Sequence, residues 1–74
     1  MDVTVIGIFD SATLADEARR ALLAVGVPER RIVVEQEEDG HSTVRVRAQS
    51  SLERDRIRDV LHRNGASSTE QQRP

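Results

Sequence analysis

The run Val3-Thr4-Val5-Ile6-Gly7-Ile8-Phe9 constrains this chain more than any other segment. It is short, β-branched and apolar, which reads as a strand. Val3, Val5 and Phe9 fall on one face and Thr4, Ile6 and Ile8 on the other. Apolar character on both faces is the pattern of a strand covered twice. The rest of a 74-residue chain has to supply that cover.

Asp10 or Ser11 next offers a side-chain oxygen to cap a helix. Leu14, Ala18, Ala21, Leu22 and Val25 recur at three- and four-residue spacing, with Asp16, Glu17, Arg19 and Arg20 on the other side. Gly26 ends this helix, Val27 is placed to fold back over its last turn, and Pro28 prevents continuation. Ile32 to Glu37 and Thr43 to Ala48 read as two strands joined by Glu38-Asp39-Gly40. Ile32 and Val34 share a face with Val44 and Val46 only if the loop holds an odd number of residues. A three-residue type I turn with Gly40 left-handed does this, setting Val34 opposite Val44 and Ile32 opposite Val46. Glu35 then lies opposite Thr43 and diagonal to Arg45. Ser50 and Glu53 form a capping box before a stripe of Leu52, Ile57, Val60 and Leu61, which Asn64-Gly65 ends.

The predicted fold class is therefore α+β, a βαββα chain forming a truncated ferredoxin-like domain. It has a three-stranded antiparallel sheet with two helices on one face. Residues 1–66 make a single domain, and 67–74, rich in Ser, Thr, Glu and Gln, make a disordered tail. No internal repeat is expected. The missing last strand would pair with the first, so the first strand is left as an open apolar edge.

Such an edge invites pairing. A chain with no Cys and one aromatic has little else to stabilise it. These arguments converge on association through Val3, Thr4, Val5, Ile6 and Ile8, with Val33 beside them. The expected partner is a second copy in a homodimer or another protein donating a strand.

Chemistry is harder to find. The formal net charge is −2 with 32% charged residues, a balance that argues against a nucleic-acid arm. No apolar run is long enough to span a membrane, and Met1 leads straight into a strand pattern. No membrane partner and a cytoplasmic location are the expectations. His41 lies near Glu37, Glu38 and Asp39, a set better read as a solvated turn than as a metal site. His62 sits on the last turn of the second helix, where an imidazole favours the dipole. Arg54, Arg56, Arg58 and Arg63, with Arg45 and Arg47, suggest phosphate contacts. Interleaved Glu53, Asp55 and Asp59, and the lack of aromatics for base stacking, favour a salt-bridged face instead. Asp10 is accounted for by a capping role, Gly7 stands alone, and no catalytic triad or Cys nucleophile can be assembled. No catalytic, cofactor-binding or metal residue is assigned, and the chain is read as not an enzyme.

Two resemblances add to this reading. Val5-Ile6-Gly7-Ile8-Phe9-Asp10-Ser11, Ala18, Leu22, Gly26-Val27-Pro28-Glu29 and Ile32 resemble the start of the heat-induced stress protein YflT-like domain. Asp39-Gly40, Val44-x-Val46 and Leu61-x-x-x-Gly65-Ala66 are similar to its second half. The chain differs in having Val27 where an aromatic is common, and in lacking the apolar glycine-rich insert of longer members. The resemblance implies a bacterial, stress-associated accessory domain with no established catalytic residues. Gly7-x-Phe9, the Ala-rich helix, Gly26, Asp39-Gly40 and Val44-Arg45-Val46 also look like the peptidoglycan-binding SPOR domain. That family ends its third strand with Gly-Pro-Phe, where this chain has Ala48-Gln49-Ser50, and it requires export and a fourth strand.

Overall fold

The structure is a computed structural model and describes residues 3–72. Its elements run β1 (Val3–Phe9), α1 (Ala12–Ala24), a 3-10 turn (Glu29–Arg31), β2 (Ile32–Gln36), β3 (Ser42–Ala48), α2 (Ser51–Arg63) and β4 (Ser68–Gln72). The sheet has four antiparallel strands in the order β2-β3-β1-β4. This arrangement is compatible with a ferredoxin-like α+β fold.

The α+β class stands, but the three-stranded βαββα topology does not. Ser68–Gln72, expected to be part of a disordered tail, pairs antiparallel with β1, placing Thr4 across from Gln72 and Ile8 across from Ser68. Residues 1, 2, 73 and 74 of the expected spans lie outside the described residues. The correction has a simple cause. Strand pairing uses backbone N–H and C=O groups, which Ser, Thr, Glu and Gln carry as well as any residue. A largely exposed edge strand needs no apolar alternation. Ser67 fixes the entry: its backbone N–H donates to the Ile8 carbonyl at 2.8 Å and its hydroxyl donates to the same oxygen at 3.1 Å. Thr69 Oγ1 lies 3.2 Å from His62 Nε2, tying β4 to the end of α2.

The hairpin has the expected register, with Ile32 opposite Val46, Val34 opposite Val44 and Glu35 opposite Thr43. Glu37 N–H donates to the His41 carbonyl at 2.8 Å, leaving the three loop residues between them. Gly40 takes φ +92°, the left-handed value such a loop demands and an L side chain resists.

Both helices are punctuated as read, Ser11 being one of the two caps offered for α1 and Ser50 the cap expected for α2. Ser11, not Asp10, caps α1 by accepting from Leu14 N–H. Ser50 caps α2 by accepting from Glu53 N–H, while the Glu53 carboxylate reaches back to Gln49 N–H at 2.8 Å. Both end in a Schellman motif. Gly26 and Val27 donate to Leu23 and Leu22 carbonyls, and Gly65 and Ala66 donate to His62 and Leu61 carbonyls. The α1 stripe shifts slightly: Ala15, Ala18 and Leu22 are buried, whereas Val25 at the helix end is exposed.

These parallels reveal a structural repeat that the sequence reading did not expect. β1 and β3 begin 39 positions apart (Val3 to Ser42), as do α1 and α2 (Ala12 to Ser51), their caps (Ser11 to Ser50) and their stops (Gly26 to Gly65). Ala18 matches Ile57 and Leu22 matches Leu61, all fully buried. The correspondence breaks after the helices: the 3-10 turn Glu29–Arg31 precedes β2 and has no counterpart before β4.

The core lies on one face of the sheet. Val5, Phe9, Val44 and Val46 meet Ala15, Ala18, Leu22, Ile57 and Leu61 in one cluster, so both helices cover the same side. Gly7 lies beneath Leu61 of α2: a Cβ there would meet Leu61 Cδ1 at 3.1 Å and Phe9 Cε1 at 3.2 Å. Gly7→Val should therefore cost about 1–3 kcal/mol by overpacking. Urea unfolding followed by circular dichroism checks this, and an unchanged midpoint would mean the helix has room to retreat.

Candidate functional site on the open face of the sheet

The opposite face carries no helix. Alternation places Thr4, Ile6 and Ile8 of β1, Val33 and Glu35 of β2, and Thr43, Arg45 and Arg47 of β3 on it. Ile6 is nonetheless only 7% exposed. Its cross-strand neighbours are Arg45 and Glu70, and long charged side chains of this kind lay their methylene stems over apolar surface. Ile6 is thus buried on a face that carries no helix, while Thr4 and Ile8 beside it are half-buried.

The expected association surface is consequently rearranged. Val3 and Val5 are buried on the helix side, Thr4 and Ile8 are half-buried, and Ile6 is buried on the open face. β1 is paired along both sides, so these residues do not form an edge. Only Val33, at 50% exposure, stands free. It belongs to β2, which pairs on one side only and is the apolar edge of this sheet.

At the β2 end of the open face lies a cleft of about 300 Å³, lined by Thr4, Arg30, Arg31, Val33, Arg45 and Arg47. Four of six lining residues are arginine and none is acidic, in a chain whose net charge is −2. The 3-10 turn brings Arg30 and Arg31, and alternation along β3 brings Arg45 and Arg47. Extending the hairpin register sets Arg31 level with Arg47, and the Arg31 Nη1 donates to the Arg47 carbonyl at 3.1 Å.

Two guanidiniums are engaged. Arg45 pairs with Glu35 at the surface, the diagonal contact expected from the register. Arg31 forms a two-pronged ion pair with Glu53, Nη1 to Oε1 at 2.5 Å and Nη2 to Oε2 at 3.2 Å. With the two side chains 12% and 27% exposed, this is the least solvated ion pair among the described residues. The Arg31 hydrogen bonds are the main reason the Glu53 carboxyl is held below its usual range; burial opposes the shift and the Gln49 N–H adds to it. Arg31 Nε is buried and makes no hydrogen bond. Arg30 and Arg47 have no carboxylate within pairing distance among the described residues.

Arg30 and Arg31 were missed by sequence reasoning, which weighed the strand arginines together with helix α2. The signal was available in the hairpin register, which puts Arg31 against Arg47 when carried one pair further. On α2 the interleaved pattern does give ion pairs, Arg54 with Asp55 and Arg63 with Asp59.

His41 forms a separate cluster. Its Nδ1 lies 3.0 Å from Asp39 Oδ2 and its Nε2 lies 3.7 Å from Asp10 Oδ1. Asp10, released from capping, thus faces the hairpin tip, whereas neither Glu37 nor Glu38 is paired with the imidazole. The His41 backbone N–H to Asp39 Oδ1 is the main cause lowering the Asp39 carboxyl from its ordinary value. Among the described residues no three or more His, Cys, Asp or Glu side chains are grouped to hold a metal ion. No helix among them is long and apolar enough to cross a membrane.

Compared with known proteins, the chain matches no family model, no curated protein and no solved structure.

The Arg31–Glu53 pair gives a pH signature. A carboxyl whose folded pKa is depressed contributes stability above its unfolded pKa of about 4.3, and that contribution is lost as pH falls through the folded value. Wild-type protein should therefore melt above Glu53→Gln at pH 6, and the gap should narrow as pH is lowered below about 4. A gap that is constant across this range would show that the pair does not stabilise the fold through its charge.

Proposed function

We propose that this chain is a non-enzymatic bacterial accessory domain, stress-associated as the YflT-like resemblance implies, that works by self-association. The edge used is β2 and not β1. One observation carries the reading: β2 is the unpaired apolar edge, with Val33 50% and Val34 37% exposed, while the opposite edge, β4, is Ser, Thr, Glu and Gln. An exposed apolar edge is a template for strand pairing unless it is used or protected. Antiparallel pairing of two β2 strands about a two-fold axis closes the assembly after two copies. It brings the valines of both copies together and leaves the helix layer untouched.

Molar mass in solution by size exclusion with light scattering tests this. Refractive-index detection is required because the chain has no Trp or Tyr. The wild type should be a dimer. Val33→Glu, which sets like charges near one another across the two-fold axis, should be a folded monomer. A monomeric wild type, or a Val33→Glu protein that remains dimeric, removes the β2 model.

A second reading is favoured by one particular observation. The peptidoglycan-binding SPOR resemblance requires a fourth strand, and β4 occupies that place beside β1. Ala48-Gln49-Ser50 still stands where that family has Gly-Pro-Phe. Sedimentation with purified peptidoglycan separates the two readings. The accessory-domain reading expects recovery in the supernatant, and retention in the pellet would replace it with glycan binding.

A further inference from the structure

We propose that the arginine-lined cleft on the open face is a binding site for a phosphorylated small molecule, with the phosphoryl groups as the part recognised. Four observations carry this. The cleft concentrates four arginines, without a lining carboxylate, on a protein of negative net charge. Like charges gathered this closely repel one another unless something compensates them. Compensation from within the protein is incomplete. Glu53 neutralises Arg31 and Glu35 neutralises Arg45, but Arg30 and Arg47 keep their charges without an acidic partner among the described residues.

The second observation is rigidity. Arg31 is held by two hydrogen bonds to Glu53 and a third to the Arg47 carbonyl, so this one lining side chain is fixed before any ligand arrives. Pre-ordered side chains lose less freedom on binding. The third is donor chemistry. Guanidinium groups present paired N–H donors that match the oxygens of a phosphoryl group, and the Thr4 side chain adds a hydroxyl at the cleft wall. The fourth is size: about 300 Å³ lies at the lower end of small-molecule sites.

The same phosphoryl chemistry is found along a nucleic-acid backbone, but this face does not support base recognition. The chain's single aromatic, Phe9, is fully buried on the helix side, whereas sheets that read single strands stack bases on exposed rings. A compact phosphoanion with two or more charges is the occupant that the two uncompensated arginines fit.

Inorganic pyrophosphate is the probe. Calorimetric titration of the full chain at fixed ionic strength, with sodium chloride adjusted to match, should give saturable binding with one site per chain. The same additions should raise the melting temperature followed by circular dichroism. Arg30→Gln and Arg47→Gln should each weaken binding about tenfold, as expected for the loss of a charged hydrogen-bonding partner. Both residues are exposed, so both variants should melt like the wild type without ligand. Arg56→Gln, which removes the same charge from α2 outside the cleft, should bind like the wild type. Absence of binding, equal loss in all three variants, or a stabilisation reproduced by chloride alone would each overturn the site. A short thymidine oligonucleotide that binds where pyrophosphate does not would also overturn it, in favour of a strand-binding groove.

Discussion

Backbone pairing along both sides of β1 is the constraint on which the rest of this structure depends. β1 meets β3 over its whole length and β4 from Thr4 to Ile8. A strand so apolar is costly to leave with unpaired amides, and flanking it twice removes that cost whatever the flanking side chains are. Once β1 is internal, the two outer strands are fixed as β2 and β4. The helix-side residues of β1 then define the core, Gly7 admits Leu61, and Ile6 on the other face lies between Arg45 and Glu70.

The electrostatic organisation follows from the one place where the two halves differ. Both halves run strand, serine-capped helix, glycine stop and strand, but only the first inserts a 3-10 turn before its second strand. That insertion carries Arg30 and Arg31 to the end of β3, against Arg47. Glu53, which already serves α2 as a capping residue, is the group that neutralises Arg31. A single carboxylate therefore joins helix start, loop and sheet, and it leaves Arg30 and Arg47 available.

Much of the local structure was legible in the residues. The register of Val34 on Val44 follows from matching apolar faces across an odd loop, and Gly40 is the residue that such a loop needs. Ser50 with Glu53 and Gly26 with Val27 announce their helix ends because capping is settled within a few residues. Even the Glu35–Arg45 contact follows from register alone. β4 was not legible, since Ser68-Thr69-Glu70-Gln71-Gln72 carries no strand signal of its own and forms one because β1 offers it an unpaired edge. The internal repeat was legible in part: at an offset of 39 the halves share Ser11 with Ser50, Leu22 with Leu61 and Gly26 with Gly65, but most paired positions differ in residue type.

The sequence by itself determined the helices, the hairpin and the double-faced apolar strand, because each rests on contacts within a short span of chain. Only the tertiary structure decided which edge stays open. That outcome depends on where a polar segment finds backbone partners about sixty residues away, as Ser67 does at Ile8. The arginine cleft lies between these cases: the hairpin register sets Arg31 against Arg47, whereas Thr4 reaches the cleft only because β1 pairs with β3.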